Sequence, residues 1–320
     1  MKIQLVISNQ TNPYVNVAVE NYLLGLDVAD TVTLYLWKNR RTVVIGQNQN
    51  PYAECNVDQL IADGGYVMRR RTGGGAVYHD DGNLNFSFIV PHEFYDQTRQ
   101  FSVLQRAVES YGLHTEVSGR NDVLCEGRKF SGNAFNKGKY QHLHHGTILI
   151  KGNIEDLQRY LKVKPAKLKK HGVASVQSRV VNLSDLAPVT AVNIVPRLIK
   201  AFEKEYGSKA EVVDFDHLIA CPEVRQLIQE MESPEWLFGR WKNFVAQYSA
   251  QFDWGLVELH LDVDQEHSII NHVEIASDGL DLAVIEQTRQ LLEGASSVER
   301  PDVPQVDNAE VIVDILSMIY

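Results

Sequence analysis

Three cations run directly into three glycines in Arg69-Arg70-Arg71-Thr72-Gly73-Gly74-Gly75-Ala76-Val77-Tyr78-His79-Asp80. Glycines lack Cβ and bring main-chain N–H donors close to a ligand, which suits a carboxylate, a phosphate or an acyl phosphate. An adjacent arginine adds bidentate anion recognition. The run is not a Walker A loop, since no Gly-Lys-Ser/Thr follows. Nor is it the GxGxxG dinucleotide fingerprint, since Ala76-Val77-Tyr78 follows Gly75. On its glycines alone it also reads as a simple tight loop.

A second cluster, Gly127-Arg128-Lys129-Phe130-Ser131-Gly132-Asn133-Ala134, comes shortly after Gly119-Arg120-Asn121-Asp122 and again sets cations among small residues. A lysine held between a phosphoanhydride and a carboxylate neutralises charge as an acyl-adenylate forms. Without such a partner, Lys129 reads as a surface lysine. Gln141-His142-Leu143-His144-His145-Gly146-Thr147 has the look of a metal motif, but no acidic or cysteine partner has matching spacing, so zinc is not expected. His144 and His145 read as the polar start of a strand, bonded to a neighbouring loop, and neither is assigned as a base.

The elements that must carry these clusters mix strands and helices without strict βαβ alternation, an α+β pattern. Val32–Trp37 and Thr42–Ile45 read as strands joined by the polar turn Lys38–Arg41, with more strands expected at Tyr66–Arg69, Leu84–Val90 and Gly146–Ile150. Helices are expected from Pro13, with Asn12 placed to cap, and over Phe101–Tyr111, Ile154–Tyr160, Ala191–Tyr206 and Pro222–Gln229. Lys162–Lys170 is a basic run broken by Pro165. The pattern breaks near Ser233-Pro234-Glu235-Trp236 and Gln247-Tyr248-Ser249, then restarts with Val257–Val263, Ile269–Ile275, Leu282–Leu292 and Val311–Ile319. Two domains are expected, residues 1–249 and 250–320, the second without a catalytic constellation of its own.

Composition narrows the class. At 320 residues, 44% hydrophobic and 22% charged, the chain can bury a sizeable core. A net charge of −10 argues against a nucleic-acid partner. Cys55, Cys125 and Cys221 lie far apart with no CxxC pair, which favours a reducing cytoplasm over a disulfide framework. The apolar N-terminal stretch is too short for a signal peptide, and no run of about 18 apolar residues predicts a membrane span.

In order and spacing these segments resemble the lipoate-protein ligase family. The family's pattern of two arginines, two variable residues, three glycines, then valine, an aromatic, His and Asp is matched by Arg69, Arg70, Gly73, Gly74, Gly75, Val77, Tyr78, His79 and Asp80. Its lysine motif is matched by Lys129, Ser131, Gly132 and Ala134, and its His-Gly-Thr by His145-Gly146-Thr147. The likeness extends through Val43–Gly46, Gln49-Asn50-Pro51, the Ser175–Leu183 stretch, Ser233–Trp236 and Phe252–Gly255.

The resemblance implies a large α+β catalytic domain like that of biotin protein ligases, with mixed sheets and flanking helices, and a small α+β C-terminal domain. It implies ATP, lipoate and Mg²⁺, with activation of lipoate to lipoyl-AMP and transfer to a lysine of an acceptor: an E2 subunit of a 2-oxoacid dehydrogenase or glycine-cleavage H protein. It assigns nucleotide or acyl-phosphate contacts to Arg70, to the loop Gly73, Gly74, Gly75, Ala76, Val77, Tyr78 and His79, and to Arg179, and puts Lys129 at the junction of carboxylate and phosphate. Asp122 either helps place Mg²⁺ or the incoming lysine, or forms an Asn-Asp turn. The lipoate tail needs an apolar slot, which Val43–Gly46 and Tyr78 are expected to line. The rivals are an octanoyl- or lipoyl-transferase using a cysteine thioester, which no cysteine between Cys125 and Cys221 supports, and a non-catalytic lipoate-binding paralogue, against which the intact Arg70, Gly73–Gly75 and Lys129 speak.

Overall fold

The run Asn83-Leu84-Asn85-Phe86-Ser87-Phe88-Ile89-Val90-Pro91 opens with polar and apolar residues in alternation, as a strand with one wet face would, yet all nine residues are buried. The reason is its place in the architecture. The computed structural model describes residues 1–119, 121–162, 180–238, 246–264, 267–279 and 281–320. Its strands are Lys2–Ile7 (β1), Thr31–Trp37 (β2), Thr42–Ile45 (β3), Tyr66–Arg69 (β4), Val77–His79 (β5), Asn83–Pro91 (β6), Thr115–Ser118 (β7), Asp122–Cys125 (β8), Arg128–Lys137 (β9), Gln141–Leu149 (β10), Glu211–Val213 (β11), Ala246–Phe252 (β12), Gly255–Asp264 (β13) and Ile269–Ser277 (β14). Eight of them form one mixed sheet in the order β11-β1-β2-β6-β10-β9-β8-β7, so β6 is central.

Both faces of that sheet are covered. The apolar side chains of β6, Leu84, Phe86, Phe88 and Val90, join a core with the helices Gln97–Glu109 and Ala191–Tyr206 through Phe101, Leu104, Leu198 and Phe202. The opposite, polar face lies under the helix Pro13–Gly25. Asn12 starts that helix, its side chain accepting from the Tyr14 N–H with Pro13 in the first turn. Asn16 and Glu20, four residues apart on one helical face, are both buried.

The α+β expectation holds, and most predicted elements lie where the patterns put them. Several features differ: the strand expected at Gly146–Ile150 begins at Gln141, and β5, β7, β8, β9, β11 and β12 were not expected. β2 and β3 do not pair with each other: β3 joins a separate three-stranded sheet, β4-β3-β5, parallel to β4 and antiparallel to β5. The eight-stranded sheet also gains β1, parallel to β2 on one side and to the edge strand β11 on the other. β12, β13 and β14 form a third, antiparallel sheet with its own core, in which Val257, Leu259, Val273 and Ile275 pack on Ile285, Ile312 and Ile315. Among the described residues no helix is long and apolar enough to cross a membrane.

Candidate active site

Register aligns the chemistry across the sheet. Trp37 on β2 stands opposite Asn85 on β6, and Asn85 opposite Thr147 on β10. Gly146 pairs with Asn133, which brings Gly132 of β9 beside Thr147, whose hydroxyl accepts from the Gly132 N–H at 3.3 Å. Gly132 in turn stands opposite Asp122 on β8. One face of five adjacent strands therefore presents an indole, a carboxamide, a hydroxyl, a glycine and a carboxylate in a single row.

Lys129 joins this row through a β-bulge. Val123 pairs with Ser131 and Leu124 with Lys129, so Phe130 is an extra residue on β9. Strict alternation would put Lys129 on the face of Ser131 and Asn133, and the extra residue turns it over. Its side chain then lies across Gly132, with Cε and Nζ 3.0 Å from where a Cβ would be. Nζ pairs with Asp122 Oδ1 at 2.7 Å, each side chain 35% exposed. The Asp122 turn is pinned because the Asn121 carbonyl accepts from both the Asn133 N–H (2.8 Å) and Asn133 Nδ2 (3.0 Å).

The glycine loop is braced from beneath. Arg70 is buried and donates from Nε to Thr72 Oγ1 (3.0 Å), from Nη1 to the Val44 carbonyl (3.2 Å) and from Nη2 to the Gly73 and Gly75 carbonyls (2.7 and 2.9 Å). Four of the five guanidinium hydrogens are thus engaged by the protein itself. Burial lowers its pKa to about 10. Gly74 sits at φ +93°, which a side chain disfavours, and its carbonyl comes within 2.4 Å of where a Cβ on Gly46 would stand. Arg69 is wholly buried and donates to the carbonyls of Gly46, Gln47, Gln49, Trp236 and Leu237, which ties the Ser233–Trp236 segment to the loop.

A buried polar chain links this loop to the first helix. Trp37 Nε1 donates to Ser87 Oγ (3.0 Å), and Ser87 to Glu20 Oε1 (2.5 Å). His145 Nδ1 also donates to Glu20 Oε1 (2.8 Å), which leaves Nε2 to take the Thr72 hydroxyl (2.8 Å). His144 points to the opposite face, among Phe86, Phe88, Phe101 and Phe135, with Nε2 2.9 Å from Asn133 Oδ1. Burial pushes its pKa well below the usual imidazole value, so it stays neutral. The expected loop partner fits His145, through Thr72, but the strand starts at Gln141 and His145 stands in its middle. His144 is a core residue.

These features wall a cavity of about 840 Å³. Arg70, Gly74, Gly75, Ala76, Val77, His79 and Lys129 line it, but Gly73, Tyr78 and Asp122 do not. Tyr78 corrects the expected slot: it alternates with Val77 along β5, and its ring turns away to pack on Tyr160 with Val43 and Ile45. The apolar end of the cavity is formed instead by Val17, Trp37, Val44 and Val77. Arg179 lies outside the described residues, as does the first part of the Ser175–Leu183 stretch; of its described end, Val180 bridges Lys129 and the Val181 N–H donates to the Lys129 carbonyl at 2.9 Å.

Sequence reading missed Glu20, Trp37, Asn85 and Thr147 as wall residues; the one signal was an acidic residue on the apolar face of the first helix. It also gave the C-terminal segment no part in the site. That segment closes the cavity with Asp253, Trp254, Asp278, Asp281 and Glu310, and two main-chain bonds join it to the loop region, Gly74 N–H to the Gly279 carbonyl (3.2 Å) and Ser277 N–H to the Asn48 carbonyl (3.1 Å). None of the three cysteines lines the cavity. Burial raises Cys55 to about 12 and Cys125 to about 11, so neither is a ready thiolate.

Residues 12–203 match the family described as lipoyl protein ligase A/B catalytic domain, and residues 242–307 that described as bacterial lipoate protein ligase C-terminus. The chain is 37% identical over 300 residues to lipoate-protein ligase A of Psychrobacter cryohalolentis, covering 91% of this chain and 88% of the relative. The crystal structure of P. falciparum LipL1 in complex with lipoate has a TM-score of 0.84 at 28% identity and covers 98% of each chain. A structure of lipoate-protein ligase A bound with ATP has a TM-score of 0.62 at 25% identity, covering 75% of this chain and 99% of that one.

Proposed function

Because the chain belongs to the lipoyl protein ligase A/B family, we propose that it is an ATP-dependent lipoate-protein ligase, activating lipoate as lipoyl-AMP and passing the acyl group to a lysine of an acceptor protein. The observation that carries this reading is the row across the sheet. It has an indole and valines at one end and, at the other, an amine held over a glycine, in a cavity that the braced glycine loop also lines. An apolar tail fits the first end and a reacting carboxylate the second.

In the first step a lipoate carboxylate oxygen attacks the α-phosphorus of ATP. The new O–P bond forms as the bond to the β-phosphate oxygen breaks, and pyrophosphate leaves with the electron pair. Lys129 Nζ neutralises charge where carboxylate and phosphate meet. The main-chain N–H groups of Gly75, Ala76 and Val77, the wall residues of the Gly75–Tyr78 stretch, are positioned to present donors to the same anion, and Arg70 holds them there by fixing the carbonyls of Gly73 and Gly75. His79 stands in the wall as a neutral imidazole, pushed down to about 3 by burial and then by Arg70 and His145. In the second step the acceptor amine attacks the acyl carbon, AMP leaves, and the amide nitrogen loses a proton.

Among the described residues no group of three or more His, Cys, Asp or Glu is arranged to hold a metal. Mg²⁺ is usually held by one or two carboxylates plus substrate phosphates. Asp122, paired with Lys129 at the edge of the site, is the carboxylate proposed to share in holding it, and Mg²⁺ bound there would neutralise phosphate charge. Arg179 remains a proposed anion contact. We further propose that the residues ahead of β12 do the chemistry and that the rest form an accessory unit, which the separate core around Val257 and Ile312 supports; the boundary expected at 249/250 falls inside β12, which pairs with β13, so it belongs before Ala246. The proposed acceptors are E2 subunits and glycine-cleavage H protein, in a cytoplasmic setting consistent with three unpaired cysteines.

The test is lipoate-dependent exchange of pyrophosphate into ATP on the purified protein with no acceptor present. Exchange supports the ligase. Its absence, together with acyl transfer from a carrier protein, would favour the thioester transferase.

A further inference from the structure

The floor of the cavity carries a carboxamide with an idle donor. Asn85 is wholly buried, and its Oδ1 accepts from Asn83 Nδ2 at 2.7 Å, but among the described residues its Nδ2 has no hydrogen-bond partner. His79, another wall residue and only 4% exposed, is in the same condition. Its Nδ1 faces Asn39 Nδ2 at 3.3 Å and so accepts, which leaves Nε2–H unpaired. A buried donor without a partner is destabilising and rare. Two beside one cavity point to something that enters it.

Distance along the row says what meets Asn85. The Lys129 amine sits over Gly132, two strands away from Asn85 by way of Thr147. At about 4.8 Å per strand the separation is about 9.5 Å. An extended chain advances about 1.2 Å per bond, so the nearer ring sulfur of lipoate, about six bonds from the carboxyl carbon, lies about 7 Å along. A charge-assisted contact of about 2.8 Å between carboxylate and amine brings the total to about 10 Å. Counted from Lys129, the sulfur arrives at Asn85.

We propose that Asn85 is a specificity-determining residue of the tail slot, its unpaired amide hydrogen donating to a dithiolane sulfur and so favouring lipoate over a straight alkyl acid such as octanoate. The inference rests on the ligase reading. Sulfur is a weak acceptor, but an all-methylene tail at the same depth leaves the donor unpaired, and a site built around a hydrogen bond discriminates against the analogue that cannot make it.

The experiment measures kcat/KM for lipoate and for octanoate by pyrophosphate exchange in the unmodified protein, in Asn85→Leu and in Asn85→Ala. The lipoate-to-octanoate ratio is expected to fall about tenfold in both variants, the effect of one unpaired buried donor. A purely structural role lowers both acids in parallel and leaves the ratio where it was, and that result overturns the proposal. The alanine variant, which introduces no bulk, carries the test if the leucine variant does not fold. Exchange with neither acid in the unmodified protein removes the ligase reading, and this inference with it. Exchange with both acids and an unmoved ratio in the variants removes the Asn85 role alone.

Discussion

Adding one methyl group at Gly132 should separate activity from stability. An alanine Cβ there would stand 3.0 Å from both Cε and Nζ of Lys129, inside the roughly 3.5–4.0 Å at which carbon pairs are at rest. The obstacle is the end of a flexible side chain, so the amine moves and the sheet does not. A shift of about 0.5–1 Å relieves the contact, and a misplacement of about 1 Å at a reacting centre costs up to about a hundredfold in rate. Gly132 does not lie in the left-handed region, so the backbone accepts alanine. The lost freedom of the unfolded chain then stabilises by about 0.4–1 kcal/mol, enough to cancel a small residual clash. Gly132→Ala is therefore expected to lower kcat for lipoate-dependent pyrophosphate exchange by about ten- to a hundredfold while the thermal midpoint moves by no more than about 2–4 °C. Exchange at the unmodified rate in a folded Gly132→Ala protein would refute the placement of the Lys129 amine over this glycine. A lower rate accompanied by a collapsed midpoint would refute the claim that only the amine moves.

Lys129→Ala should reduce exchange by at least about 10²–10³-fold, the scale of a lost preorganised charge. Its partner Asp122 is also part-exposed, so stability should change by about 1 kcal/mol or less; normal exchange would sink the assignment. Arg70→Lys replaces a planar fork by a point charge and cannot keep four bonds. The urea midpoint should fall by the equivalent of about 2–4 kcal/mol, and an unchanged midpoint with a raised KM for ATP would make Arg70 a ligand instead of a brace. His79 is held at about 3 in the folded protein against about 6.5 unfolded, so the unfolded chain binds the proton first as pH falls. The stability conferred by neutral His79 is full above about pH 6.5 and is lost toward pH 3, at up to about 1.4 kcal/mol per pH unit. His144 shifts in the same direction. Urea midpoints across that range should show the slope, and His79→Asn should flatten it.

Local chemistry was legible in the order of residues. The three glycines after Arg69 and Arg70 marked an anion loop, Lys129 stood out among small residues, and period-two alternation separated Asn83, Asn85 and Ser87 from Leu84, Phe86 and Phe88, because side-chain direction on a strand depends only on position along it. Sequence did not determine which face becomes the site. A polar face reads as wet, and only the docking of the helix Pro13–Gly25, with Glu20 between Ser87 and His145, makes this one the floor of a cavity. Lys129 shows the same limit: its spacing from Gly132 puts the two on opposite faces of a regular strand, and the bulge at Phe130 exists only because β8 pairs alongside. Tyr78, expected in the slot, faces away for want of one residue of register, and the C-terminal carboxylates reach the cavity only through contacts such as Gly74 to Gly279, more than two hundred residues apart. Spacing along one chain fixes direction within an element, whereas pairing and docking between distant elements decide what each direction meets.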